Sequence, residues 1–275
     1  MVVSQMTTRL LFLCLARDCA KTLPMFYRHL DSLTRHGFRC YAIVGENGSR
    51  DKTRAAIHQT ARFHLLDTSA MADGTSRLQR MAIGRQMLLE KARTMEPADY
   101  IVVCDLDEVM LDPPKPEVIA RAIERLQDPN LFAVGATSYP CYYDLLALRL
   151  GGIDYSVVLH METELAKRNP FTYYQFQKRR LYDNRKQMTS SKPILCASTF
   201  NGYCIYKAAP YLGGTYRSNN EHVVCEHVTM NTWLGDLTGG QMVIAPELSV
   251  LTPHEHMPVG FVRFWWDRIR KVISL

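Results

Sequence analysis

Short apolar runs and amphipathic stretches take turns along the first half of the chain. The runs "LLFLCLA" (10–16), "RCYAIVG" (39–45), "FHLLD" (63–67), "YIVVC" (100–104) and "LFAVGAT" (131–137) have the length and composition of buried strands. Between them, apolar positions recur with helical spacing over 20–36, about Asp51–Ala61, 74–93 and about Pro116–Leu126. Strands that are apolar on both faces and separated by helices predict an α/β fold, with a mostly parallel sheet covered by helices on both faces. The second half lacks this rhythm and is expected to be irregular. Its stretch 161–192, which contains "KRNPFTYYQFQKRRLYDNRK", reads as a surface excursion, a lid over the active site or an acceptor-binding insertion.

In such a sheet ligands bind beyond the carboxyl ends of the strands. Those ends carry "ARD" (16–18), "GENGSRDKT" (45–53), "DTS" (67–69) and "DLDEV" (105–109), four polar clusters able to meet in one crevice. No G-x-G-x-x-G follows the first strand, so the dinucleotide fingerprint is absent. Asp105 and Asp107 stand two residues apart, and in an extended segment side chains at i and i+2 point the same way. Both carboxylates can therefore face one hard divalent cation.

The helix over 74–93 holds a second clue. Leu78, Met81, Ala82, Leu88, Leu89 and Ala92 fall within one arc of about 120°, and Arg85 lies near its middle. A guanidinium on a core-facing stripe must find an anion: a ligand, an active-site carboxylate or a structural ion-pair partner. Further on, "CEHVTMN" (225–231) sets Glu226 beside His227, and "TPHEHMP" adds His254 and His256, each able to serve structure or chemistry.

Composition narrows the classes. With 47% hydrophobic and 22% charged residues the chain is an ordinary globular protein, and no window reaches the length of a membrane span. The net charge of +6 suits a polyanionic small substrate and is too weak to argue for nucleic acid. Eight cysteines without a C-x-x-C pair point to free thiols in a reducing, cytoplasmic setting. The C-terminal "FVRFWWDRIRKVISL" (261–275) mixes bases and aromatics along a helical face, which can pack on the domain or lie on an anionic membrane.

Taken in order, "ARD", "ENGSRDKT", "RLQRMAIGRQ" (77–86), "DYIVVCDLDEV", "YYDLLALR" (142–149), "FNGYCIY" and "CEHVTMN" resemble the GT-A fold nucleotide-sugar glycosyltransferases. The likeness covers roughly 9–250, and is to bacterial polysaccharide enzymes and, more distantly, to fungal capsule-type mannosyltransferases. It implies a single GT-A (Rossmann-like) domain over 1–275: a nucleotide-sugar half at 9–137, an acceptor and catalytic half at 138–250, and a helix at 258–275. It also implies a UDP- or GDP-sugar donor, a glycan or lipid-linked acceptor, and Mn2+ or Mg2+. By this resemblance Asp105 and Asp107 hold the metal, with His227 completing its shell. Arg17, Glu46 and Asn47 meet the nucleoside, Arg80 and Arg85 steady the diphosphate or the Asp-x-Asp loop, and Asp144 and Glu226 are candidates for base or sugar recognition. Gln86 departs from the pattern, since many relatives carry Asn there. The rival reading of "VVCDLDEV" is a haloacid-dehalogenase-type phosphatase with Asp105 as nucleophile, which needs a Ser or Thr, a Lys and further acids; "LGDLTGG" (234–240) supplies one acid.

Overall fold

Five strands form where the apolar runs stand: β1 (Arg9–Ala16), β2 (Arg39–Glu46), β3 (Phe63–Asp67), β4 (Tyr100–Asp105) and β5 (Leu131–Tyr139). In β1, Leu10, Phe12 and Cys14 enter one core layer while Leu11 and Leu13 enter another, so a run of unbroken apolar residues is buried on both faces of a sheet. The computed structural model describes residues 7–151, 153–155, 185–186, 188–189, 191–218, 224–257 and 260–273. Most of the stretch expected to be a lid or insertion, 161–192, lies outside the described residues.

The helices α1 (Leu23–Arg35), α2 (Thr53–Ala56), α3 (Arg77–Ala92) and α4 (Pro116–Arg125) follow the first four strands. Ser76 caps α3 by accepting the Gln79 N–H, and prolines open α1 and α4 within the first two positions, where a missing N–H costs nothing. The helix expected to Ala61 stops after one turn. Ile57 turns extended and buries itself in the core, and His58 stacks on Tyr27 with ring centroids 3.8 Å apart. Those tertiary contacts outweigh continued helix.

The second half is more regular than its pattern suggests. It contributes β8 (Ile194–Cys196), β9 (Tyr203–Lys207) and β10 (Gln241–Leu251) to the same sheet, after a two-residue ribbon of β6 (Arg149–Leu150) and β7 (Ile153–Asp154). The helices α5 (Ala208–Gly213), α6 (Glu226–Thr238) and α7 (Phe261–Ile273) complete the described elements. The strand order is β3-β2-β1-β4-β9-β5-β10-β8. All neighbours are parallel except that β9 runs antiparallel between β4 and β5, and β8 antiparallel beside β10. Helices α1 and α4 cover one face, while α3, α5 and α6 pack on the other. The expected α/β class with a mostly parallel, doubly covered sheet is therefore what forms. All eight cysteines are buried free thiols.

Reversed direction gives β9 its importance. Its beginning, not its end, lies beside the carboxyl ends of β1 and β4, which brings the turn at 199–202 to the crevice. Asp105 donates its N–H to the Gly202 carbonyl at 2.9 Å, joining that turn to the end of β4. Asn201 and Gly202 both have positive φ, 53° and 79°, and a Cβ on Gly202 would stand 2.3 Å from the Tyr143 hydroxyl and 2.7 Å from Val109. Replacing Gly202 with Ala is accordingly expected to destabilise the fold by about 2–4 kcal/mol, measured by urea denaturation, through strain and overpacking together.

Candidate active site

Arg85 lies on the core side of α3 with 1% of its surface exposed, and its Nη2 donates to Asp105 Oδ1 at 2.8 Å. Nη1 reaches the Leu13 carbonyl at 3.4 Å, and the guanidinium sits over the Phe200 ring, 5.2 Å from its centroid. Burial works against the guanidinium's charge, but Asp105 and its other neighbours outweigh this, so Arg85 holds its proton more firmly than usual. For Asp105 burial dominates and lifts the carboxyl to about 7; Arg85 pulls downward while Asp107 and Asp144 push upward. Of the partners left open by the helical pattern, the structure selects an active-site carboxylate.

The chain leaves the sheet after Asp105. Leu106 turns into the core and its carbonyl accepts the Thr22 hydroxyl, while Asp107 caps the short turn Glu108–Leu111 by accepting the Val109 N–H at 3.0 Å. Glu108 points elsewhere, as its carboxylate accepts the His254 N–H and ties the 254–256 turn to this loop. That tie places His256 against Tyr143, rings stacked 4.9 Å apart, on the wall of the same cavity as Asp107.

Asp144 follows a strap fastened from below. Asn201, fully buried, accepts the backbone N–H groups of both Tyr143 and Asp144 at 3.1 and 3.2 Å. Burial lifts the Asp144 carboxyl to about 6, with nearby Glu226 adding to the rise. Glu226 opens α6 beside His227, and burial raises its proton affinity also. The His227 ring stacks on Phe200 at 3.7 Å and meets Tyr216 edge-on, while burial and Arg85 keep it neutral.

Two cavities meet at the aspartates and share Arg77, Met81, Asp105 and Asp107 as walls. One, of about 400 Å³, extends past Arg17, Asn47 and Arg80. The other, of about 260 Å³, extends past Arg85, Asp144, Glu226, His227 and His256. Leu78, Met81 and Ala82, expected in the core, are only half-buried because they line cavities; the core contact of α3 comes from Leu88, Leu89 and Ala92. Glu46 lines neither of these cavities. Its carboxylate is 1% exposed, accepts the Ser49 N–H at 2.6 Å and pairs with Arg54 at 2.7 Å, so it braces the turn after β2. Arg80 donates to the Gly74 carbonyl at 3.1 Å from the cavity wall.

Sequence reasoning passed over Tyr143, Phe200 and Asn201, whose roles arise from contacts between distant segments. The motifs "YYDLLALR" and "FNGYCIY" contain them, but spacing alone does not reveal that they interlock. Gln86 also finds its role: its carbonyl accepts the Tyr216 N–H at 2.9 Å and its amide donates to Glu90, pinning the 215–216 segment to α3. No Ser, Thr or Lys lines the two shared cavities among the described residues, and Asp236 is exposed on α6. Among the described residues, the remaining parts of a phosphatase site are therefore not gathered around Asp105.

Among the described residues no group of three His, Cys, Asp or Glu side chains is close enough to hold a metal ion unaided. The donor chemistry nevertheless fits a hard divalent cation, because such ions often take one or two carboxylates and draw their other oxygens from a bound phosphate. Arg85 occupies one oxygen of Asp105, and Asp107 stands beside it at the junction of the cavities.

No family model and no curated protein matches the chain. Among solved structures it is similar to a mannosyltransferase from Pyrobaculum calidifontis in complex with GDP-Man and Mn2+, at 13% identity and a TM-score of 0.49, over 97% of this chain and 65% of that one. It is also similar to mannosyl-3-phosphoglycerate synthase from Rubrobacter xylanophilus, at 13% identity and a TM-score of 0.48, over 96% of this chain and 73% of that one. A third is S. aureus TarS 1-349, at 10% identity and a TM-score of 0.45, over 88% of this chain and 59% of that one. At such identities these likenesses carry no chemistry to the present site.

Two outcomes follow from the electrostatics. Arg85→Leu is expected to cost about 3–5 kcal/mol in urea denaturation, because it strands a carboxylate, and Arg85→Leu with Asp105→Asn together should cost less than Arg85→Leu alone. For Asp144, the folded carboxyl titrates near 6 against an ordinary 3.8, so the folded chain keeps a proton that the unfolded chain has released. Stability contributed by this group is thus complete below about pH 4 and is lost as pH rises to about 6. In chelator, Asp144→Asn should raise the melting temperature at pH 7.5, by an amount equivalent to at most about 3 kcal/mol, and have no such effect near pH 4.

Proposed function

We propose that the protein is a metal-dependent glycosyltransferase of the GT-A type, moving a sugar from a UDP- or GDP-sugar to a hydroxyl of a glycan or lipid-linked acceptor. One observation carries the reading: the Arg85-braced pair Asp105 and Asp107 stands where a base-lined cavity meets an acid-lined one. A nucleoside diphosphate suits the first cavity, with Arg17 and Asn47 towards the nucleoside and Arg77 and Arg80 towards the phosphates. The sugar and the acceptor hydroxyl suit the second, where Asp144 and Glu226 have proton affinities raised towards neutrality.

Mn2+ or Mg2+, held by Asp105 and Asp107 with its other oxygens drawn from the diphosphate, would neutralise charge there; His227, stacked on Phe200, does not form a three-donor group with the two aspartates. The chain's own arginines act in the same direction, stabilising the leaving nucleoside diphosphate as the bond to the sugar breaks. Arg85 orients Asp105 and favours its ionised form against burial. Asp144, strapped down by Asn201, is positioned to accept the proton of an attacking hydroxyl, with Glu226 beside it.

The test is donor hydrolysis by the purified chain with Mn2+, read beside thermal shift. UDP or GDP should raise the melting temperature only when Mn2+ is present, and Asp107→Ala should remove both the shift and at least about a thousandfold of turnover. Full turnover in Asp107→Ala would refute the assignment, as would phosphate release from a phosphomonoester that beryllium fluoride inhibits.

A further inference from the structure

Five of the apolar positions of α7 form one stripe. At 100° per residue, Phe261, Val262, Trp265, Trp266 and Ile269 fall within an arc of about 140°. Four of them stay open to solvent: Phe261 at 52%, Val262 at 80%, Trp266 at 55% and Ile269 at 48%. With Trp265 they line an apolar depression of about 500 Å³. Contiguous exposed aromatic and aliphatic surface of this kind marks an interaction face.

Charge selects the occupant. The helix sequence carries Arg263, Arg268, Arg270 and Lys271 against the single acid Asp267, and the whole chain is basic at +6. The Arg270 guanidinium sits 5.5 Å from the Trp266 ring centroid, so a cation borders the apolar stripe. A second copy of this helix would bring bases against bases, whereas an anionic lipid headgroup layer answers both the charge and the aromatics. Thirteen residues make a helix of about 20 Å, too short to cross a bilayer, and no described helix is long and apolar enough to do so.

We propose that α7 docks the protein on an anionic phospholipid surface. Phe261, Val262, Trp266 and Ile269 enter the boundary between headgroups and acyl chains, and Arg263 and Arg270 meet lipid phosphates. The docking has a consequence for the site, because His256 lines the acid-rich cavity and only four residues of chain separate it from Phe261, five steps along the backbone. Five such steps span at most about 18 Å, so the cavity is held close to the lipid surface. That placement suits an acceptor carried by a lipid, a consequence that rests on the transferase reading; the docking itself does not.

The experiment is co-sedimentation of the full chain with vesicles of phosphatidylcholine alone or containing phosphatidylglycerol. Binding is expected with phosphatidylglycerol and should weaken with added salt. It should fall about fivefold for each of Arg263→Ser and Arg270→Ser, and be lost in Trp266→Ser with Ile269→Ser. Two of the three tryptophans are on α7, so brominated lipids should quench most of the unmutated chain's fluorescence, a readout needing no variant. Donor hydrolysis measured without vesicles should be unchanged in these variants, which separates failure of docking from failure of the transferase reading. Absence of co-sedimentation, equal binding to both vesicle types, or dimerisation that Trp266→Ser abolishes would overturn the proposal.

Discussion

A guanidinium buried beneath the end of a β-strand sets the terms for everything around it. Arg85 is tolerated at 1% exposure because Asp105 stands 2.8 Å away, and removing either partner leaves an uncompensated charge. The pair joins α3 to β4, the Leu13 carbonyl draws in β1, and the Phe200 ring brings in the turn ahead of β9. Four segments far apart in sequence therefore share one electrostatic anchor. It also leaves Asp105 half committed: one oxygen is held by Arg85, while a quarter of the side chain, 27%, still faces the cavities.

The antiparallel strand β9 makes this anchor part of a site. Inserted between β4 and β5, it brings its leading turn to the crevice at the carboxyl ends of the parallel strands. Asn201 in that turn holds the backbone of Tyr143 and Asp144, and Phe200 stacks with His227 at the start of α6. Glu108 binds the 254–256 turn from the other side. Acids from three parts of the chain thus meet in a space that no single supersecondary unit encloses.

That gathering is unfavourable by itself. Asp105, Asp107, Asp144 and Glu226 all bind protons more firmly than free carboxyls, with burial the leading cause in each. Arg85 opposes that rise at two of them, Asp105 and Glu226, and the two apolar layers of the sheet sustain the gathering. A site held in this state gains from a cation or from groups that donate hydrogen bonds, which is the environment a diphosphate, its metal and sugar hydroxyls supply.

The alternation of short apolar runs with amphipathic helices determined the parallel half-sheet, the crevice at its carboxyl end and the place of Asp105 and Asp107 within it. Those features follow from local periodicity and from the handedness and packing rules of α/β structure. Arg85 was legible as a cation in need of an anion, since its position on the helical stripe demanded one. An active-site carboxylate was one of the partners the sequence left open, and the choice of Asp105 among them depended on how α3 docks against β4. The three later strands also escaped the pattern: β9 has five residues and begins at a turn of two residues with positive φ, while β8 has three. Glu46, a plausible ligand contact by position, pairs with Arg54 at 2.7 Å, a contact that its place in the sequence does not reveal. Only the tertiary structure could join Asn201 to Asp144, Phe200 to Arg85 and Glu108 to His254, because each of these bonds spans dozens of residues and none leaves a periodic trace.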